Sequence, residues 1–233
     1  MMKNVKHAIL SICALVLVSA ATAFGQHKSH VPLIIEVTGA VNKNLDNKPF
    51  LKICDGLHIP SSAVYQWKNH LVIYDAPSNG HKLEKSLAAA YPNSTVKEYA
   101  KTYYHFDRKQ HCKGSTVAKE WTNILLMANL VNDAKLQQEY LSYHATQFKK
   151  WPEVSRGFCN ADFQQLLGYK NGRQLVLVIS IPKGKTLDEL NPKTTENNPR
   201  VDQWNNLMKK YQEGLPGTKP GEVWVFLQPV KTR

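Results

Sequence analysis

Apolar and polar positions alternate along this chain in two successive runs that follow the same order of elements. Val31 to Val37 is rich in Ile and Val and predicts a strand. A weakly patterned stretch around Pro49 to Leu57 leaves room for a helix. Ala63 to Trp67 and Leu71 to Tyr74 predict two strands across the polar turn Lys68-Asn69-His70. Leu83, Leu87, Ala88 and Tyr91 recur at helical spacing over Lys82 to Tyr91, and Pro92 ends that helix. Thr95 to Phe106, with Val96, Tyr99 and Tyr103 as its apolar positions, reads as one long closing strand.

The second run opens on an apolar strand, Thr122 to Val131. Asp133 then suits the N-cap of a long helix reaching about Lys150, with Lys135 and Glu139 on its wet side. Phe163 to Tyr169 and Gln174 to Ile181 flank Lys170-Asn171-Gly172-Arg173, whose Asn-Gly pair is a strong hairpin signal. Pro182 to Pro199 is a loop. Val201, Trp204, Leu207, Met208 and Tyr211 form the apolar side of a helix over Pro199 to Gln212, and Val223 to Leu227 supplies the last strand.

Each half therefore reads β-α-β-β-α-β, the ferredoxin-like order, in which a four-stranded antiparallel sheet carries two helices on one side. The expected class is α+β, with an N-terminal unit over residues 26–113 and a C-terminal unit over 119–233, joined by a linker within His111 to Lys119. Two such units in tandem can pack their sheets together as an α+β barrel, a dimer fused in one chain. A monomer is the matching expectation for the assembly.

The first 25 residues stand apart from this pattern. Lys3 and Lys6 precede the apolar run Ala8 to Val18, and Ala21-Thr22-Ala23-Phe24-Gly25 offers small residues for cleavage before Gln26. This is the layout of a signal peptide on a secreted or periplasmic bacterial protein. The run is too short to anchor the chain stably in a membrane. Cleavage would leave about 208 of the 233 residues. Cys54, Cys112 and Cys159 would remain, and their spacing fits no zinc motif. A Cys54–Cys112 bridge is the expected pairing, because both lie in the first half.

The formal charge of +12 raises the question of a nucleic-acid or acidic partner. The Lys and Arg residues are scattered, however, and no nucleic-acid motif accompanies them. No nucleic-acid partner is expected. His58, His70 and His105 show no partner pattern and read as surface or edge residues.

Chemistry concentrates in Glu139-Tyr140-Leu141-Ser142-Tyr143-His144 and the following Trp151-Pro152-Glu153. At about 3.6 residues per turn, Tyr140, His144, Gln147 and Trp151 fall on one side of a single helix. A phenol, an imidazole and an indole together suit a pocket that grips a sugar and moves a proton. The same side would equally serve to pack on a sheet, with His144 satisfied in the core.

The run from Tyr140 through Trp151-Pro152-Glu153, then Leu166 to Ile181, then Trp204-Asn205-Asn206-Leu207-Met208, resembles the L-rhamnose mutarotases. The resemblance spans roughly Asn123 to Val230. It implies a ferredoxin-like protein that interconverts the anomers of L-rhamnose or a related 6-deoxy sugar, with a monosaccharide as partner and no cofactor or metal. His144 would be the proton donor and acceptor. Tyr140 would hydrogen-bond the sugar and Trp151 and Trp204 would stack on it, with Tyr143 and Tyr169 as further candidates. Two registers fit. One keeps Glu139-Tyr140-x-x-x-His144 intact, and the other, counted back from Trp151, puts Tyr143 and Gln147 in their place. A histidine base suits mutarotation because both its protonation states are accessible near neutrality. One competent site, in the second half, is expected.

Two other readings share the same features. A carbohydrate-binding protein could keep the aromatic pocket without catalysis. Oxygenation or haem binding on the same barrel is a third, because fold does not fix function.

Overall fold

The computed structural model describes residues 32–230 apart from 42, 77–79 and 115, so the predicted signal peptide lies outside the described residues. The first half runs Leu33–Thr38 (β1), Lys48–Gly56 (α1), Val64–Trp67 (β2), His70–Ala76 (β3), Gly80–Ala90 (α2) and Thr95–Tyr99 (β4). Thr102–Asp107 (β5) and the short Arg108–His111 helix (α3) lead to the second half. There Trp121–Leu130 (β6), Ala134–Lys150 (α4), Pro152–Asn160 (α5), Gln165–Asn171 (β7) and Gln174–Pro182 (β8) follow. Leu187–Leu190 (α6), Pro199–Lys209 (α7), Gln212–Glu213 (β9), Val225–Phe226 (β10) and Gln228–Pro229 (β11) complete the order.

All strand pairs among the described residues are antiparallel. The first sheet is ordered β11-β2-β3-β1-β4 and the second β10-β6-β8-β7-β5, with β9 on β6. Leaving out β11 and β5, the two sheets have the same ferredoxin-like order, and each half is a mixed α/β unit with helices on one face. The exceptions are reciprocal: β5 leaves the first half to join the second sheet at β7, and β11 returns from the second half to join the first at β2.

Strand alternation sorts the side chains into layers. Ile34, Val72, Tyr74 and Tyr99 from the first sheet meet Leu125, Met127, Leu167, Tyr169, Val176 and Val178 from the second in one core. The opposite face of the first sheet packs Ile35, Val37, Leu71 and Ile73 against Phe50, Cys54, Leu83 and Leu87 of its helices. On the second sheet, Leu126, Leu166 and Ile179 face the helical layer instead. Glu36 keeps this alternation but places a carboxylate in the apolar layer. It is fully buried on the inter-sheet side, where it accepts hydrogen bonds from Thr38 Oγ1, Tyr99 Oη and Gln174 Nε2 and sits 2.6 Å from His70 Nδ1.

Several sequence expectations are corrected. Thr95 to Phe106 is not one strand. Ala100 and Lys101 are exposed at a corner, and the chain passes there from one sheet to the other. Trp151 is not on the helix of Tyr140 and His144. Pro152 disfavours helical geometry at the residue before it, so α4 stops, Trp151 takes φ −136°, ψ 52°, and α5 begins. Cys112 is bonded to Cys159, not Cys54. Cys54 is buried under the first sheet's helices, whereas β5 carries Cys112 across to α5. His70 is buried on Glu36 rather than at the surface, while His58 is exposed and His105 is half-buried beside Gln165.

Candidate functional site

Asp133 starts α4 as its N-cap, with its carboxylate accepting from Leu136 N at 2.9 Å. From there Tyr140, His144 and Gln147 come round at helical spacing onto the side facing the second sheet. Gln147 is fully buried, and its amide is spent on structure. It accepts from Tyr104 Oη at 2.6 Å and donates to the carbonyl of Trp151 at 2.6 Å, closing the end of the helix.

Between this helical layer and the sheet lies a cavity of about 300 Å³. Leu166, Leu177 and Ile179 give it an apolar floor, and Asn191 and Asn205 add polar groups. His144, Tyr140, Tyr103 and Trp204 supply most of its aromatic wall. The His144 ring lies edge-on to Trp204 and Tyr103, with centroids 5.1 and 5.4 Å away. Its Nδ1 is 2.9 Å from the carbonyl oxygen of Tyr140. Burial pushes this imidazole down to about 4. At neutral pH it is therefore uncharged and able to accept a proton.

Tyr140 Oη is 2.9 Å from Tyr103 Oη and accepts from Gln212 Nε2 at 3.3 Å. Gln212 is itself oriented by Trp224 Nε1, which donates to its Oε1. Burial pushes the Tyr140 phenol up to about 12, against the lowering effect of its two hydrogen-bond partners. Both phenols thus keep their protons. Among the described residues no group of three His, Cys, Asp or Glu side chains is placed to hold a metal ion.

Of the residues singled out from sequence, Tyr140, His144 and Trp204 line this cavity. Of the two registers, the one with Tyr140 and His144 faces it, while Gln147 is committed to helix closure. Trp151 stands behind Trp204, with ring centroids 5.6 Å apart, and the Arg200 guanidinium lies 3.8 Å over its ring. Tyr143 is on the outer side of α4 against Trp204 and Tyr211. Tyr169 points the other way, into the inter-sheet core, and donates to the carbonyl of Pro32.

Sequence reasoning missed Tyr103, Tyr104, Gln212 and Trp224. Tyr103 is the extra residue of a bulge between Thr102 and Tyr104 opposite β7, the device by which a strand re-aims a side chain. Its ring lies over Gly168, where a Cβ would be 2.7 Å from Tyr103 Cζ. Nothing in the local sequence signals this, because the bulge depends on pairing with a strand of the other half.

The sequence pattern of the L-rhamnose mutarotases matches residues 123–230. An L-fucose mutarotase of Xanthomonas campestris pv. campestris is 31% identical over 97 residues, covering 41% of this chain and 75% of that protein. A protein of Dictyostelium discoideum is 29% identical over 104 residues, covering 41% and 77%. Among solved structures, one described as a monooxygenase of Fusobacterium nucleatum superposes with a TM-score of 0.45 at 12% identity, covering 87% of this chain and 94% of that one. A heme-degrading enzyme of Listeria monocytogenes gives a TM-score of 0.38 at 12% identity, covering 84% and 98%. The segment shared with the mutarotases builds α4, α7 and most of the cavity between them, and on that identity and coverage the chain belongs to the L-rhamnose mutarotase family.

Proposed function

We propose that this protein interconverts the anomers of L-rhamnose or a related 6-deoxy sugar, with His144 as the proton-transferring group. The observation that carries the reading is the state of His144: Nδ1 is engaged by a helix carbonyl, which leaves Nε2 as a lone pair in a cavity walled by phenols and an indole. In the forward direction Nε2 takes the proton of the anomeric hydroxyl while a phenol protonates the ring oxygen. The C1–O5 bond breaks and an open-chain aldehyde forms. After rotation about C1–C2, the hydroxyl adds back to the other face of the carbonyl, and each proton returns to its donor. Trp204 offers an apolar face for the sugar, and Leu166, Leu177 and Ile179 suit a methyl in place of a hydroxymethyl group.

Saturation-transfer NMR on L-rhamnose and L-fucose tests this. Wild-type protein should accelerate anomer exchange, and His144→Ala should lower the rate by about 10²–10⁴-fold. An unchanged rate would show that His144 is not the base. Binding by calorimetry without accelerated exchange would favour the alternative reading, a carbohydrate-binding protein that does no chemistry.

The tandem units and the reciprocal exchange of β5 and β11 support a fused-dimer barrel with a single competent site. In the first half Phe50, Cys54, Leu83 and Leu87 of the helices pack directly on the sheet as apolar core. A monomer in analytical ultracentrifugation is the expected result. We also propose export through the first 25 residues, supported by the Cys112–Cys159 disulfide, a bond characteristic of oxidising compartments. N-terminal sequencing of the mature protein would find Gln26 first if this is right.

A further inference from the structure

Tyr103 comes from β5, outside the segment that matches the family, yet it lines the cavity and its hydroxyl lies beside that of Tyr140. Tyr140 Oη has one proton and two lone pairs. Gln212 Nε2 donates to one lone pair, and the Trp224 Nε1 bond to Gln212 Oε1 holds that amide in this orientation. Tyr103 Oη, 2.9 Å away, has no other polar partner among the described residues. The geometry lets either hydroxyl donate, but once a ligand accepts the Tyr140 proton only Tyr103-to-Tyr140 donation leaves no buried hydroxyl without an acceptor. With both lone pairs occupied, the Tyr140 proton is the one left over for whatever fills the cavity.

Resting on the mutarotase reading above, we infer that Tyr103 is a positioning residue supplied by the N-terminal half: its hydroxyl donates to Tyr140 and so aims the Tyr140 proton at the sugar ring oxygen. His144 Nε2 then removes the anomeric proton while Tyr140 delivers its own. Two donors on Tyr140 also stabilise the phenolate that forms as it gives up that proton; on closure the C5 hydroxyl returns the proton to Tyr140 as it adds to C1, and His144 returns its own to the carbonyl oxygen. Gly168 is part of the same arrangement, because a side chain there would displace the Tyr103 ring.

The test is a double-mutant cycle in the full chain, read as anomer exchange by NMR with saturation curves. Tyr103→Phe is expected to lower kcat about tenfold, the loss of one hydrogen bond in the transition state, with KM changed by less than about twofold. In a Tyr140→Phe background the same substitution should do nothing further, because Tyr103 acts only through Tyr140. Undiminished kcat, or an equal loss in both backgrounds, overturns the inference while leaving the mutarotase reading intact. A wild type that accelerates exchange of no aldose overturns that reading and this inference with it. If Tyr103→Phe does not give a native circular-dichroism spectrum, Gly168→Ala takes its place. It keeps every hydroxyl and should produce the same kcat loss, and an unchanged kcat overturns the inference.

Discussion

Nδ1 of His144 donates to the carbonyl oxygen of Tyr140, one helical turn back, across 2.9 Å. A carbonyl can only accept, so the ring proton is on Nδ1 and the lone pair on Nε2. One backbone contact thus sets the tautomer, the direction in which the imidazole is basic, and its place beside the phenol pair.

The pH dependence of exchange follows from burial of that ring, which pushes His144 down to about 4. The imidazole is already unprotonated throughout the neutral range. Exchange should therefore be level between about pH 5 and 8 and fall only as pH approaches about 4. Rates measured across this span check the expectation, and a midpoint near the ordinary histidine value of 6.5 would contradict it.

Stability should respond to the same group. Between pH 6.5 and about 4 the unfolded chain binds the His144 proton and the folded one does not, so stability falls as pH drops through that window. The effect is on the order of 3 kcal/mol and is complete near the lower value. Urea melts of wild type and His144→Gln should diverge over this window in their pH slope.

Glu36 predicts a second pH effect at lower values. Burial alone would raise its carboxyl, but the bond and charge of His70, with Lys97 and Tyr99, hold it below the ordinary 4.5. That stabilisation is present above 4.5 and is lost as pH falls through the lower folded value. Glu36→Leu leaves His70, Tyr99 and Gln174 without their shared acceptor and should cost about 3–5 kcal/mol in denaturant melts. A cost near zero would mean that the buried donors find other partners.

Cys112–Cys159 closes a segment of 47 residues that contains β6 and α4. Replacing both cysteines by serine should destabilise the protein by about 2–4 kcal/mol under oxidising conditions. The wild type in reductant should fall toward the same value. Replacing Cys54, which is buried and unbonded, should not change the sensitivity to reductant.

Gly157 marks where α5 meets the turn at Asn191–Thr194, because a Cβ there would be 2.4 Å from the Thr194 carbonyl oxygen. Backbone cannot move aside as a side-chain tip can. Gly157→Ala is expected to cost about 1–3 kcal/mol and to reduce sugar affinity, since Asn191 and Phe158 both line the cavity. A thermal melt and a calorimetric titration would show both effects.

Much of the second half is legible in sequence because its signals are local. Asp133 caps α4, Asn171-Gly172 turns β7 into β8 with Gly172 at φ 58°, and Val201, Trp204 and Met208 bury one side of α7. Tyr140 and His144 are readable as neighbours for the same reason, being one turn apart on one helix. The stop at Trp151 is equally local, since Pro152 imposes it. Tyr169 shows the limit of such reading. Alternation along β7 separates it from Leu166, but which face of the sheet meets helices is decided only when the other sheet arrives.

By itself, then, the chain determined the ferredoxin-like order of elements, the apolar side of each, and the tyrosine–histidine pair on α4, because hydrogen-bond periodicity and turn chemistry act over a few residues. Tertiary structure alone decided that β5 crosses to the second sheet, that a bulge and Gly168 turn Tyr103 toward Tyr140, that Cys112 meets Cys159, and that Trp151 stays behind Trp204. Those outcomes depend on contacts between segments far apart in the chain, whose energy appears only when both sheets close on one core. The helix supplies the imidazole and one phenol, and the crossing strand supplies the second hydroxyl of the cavity wall.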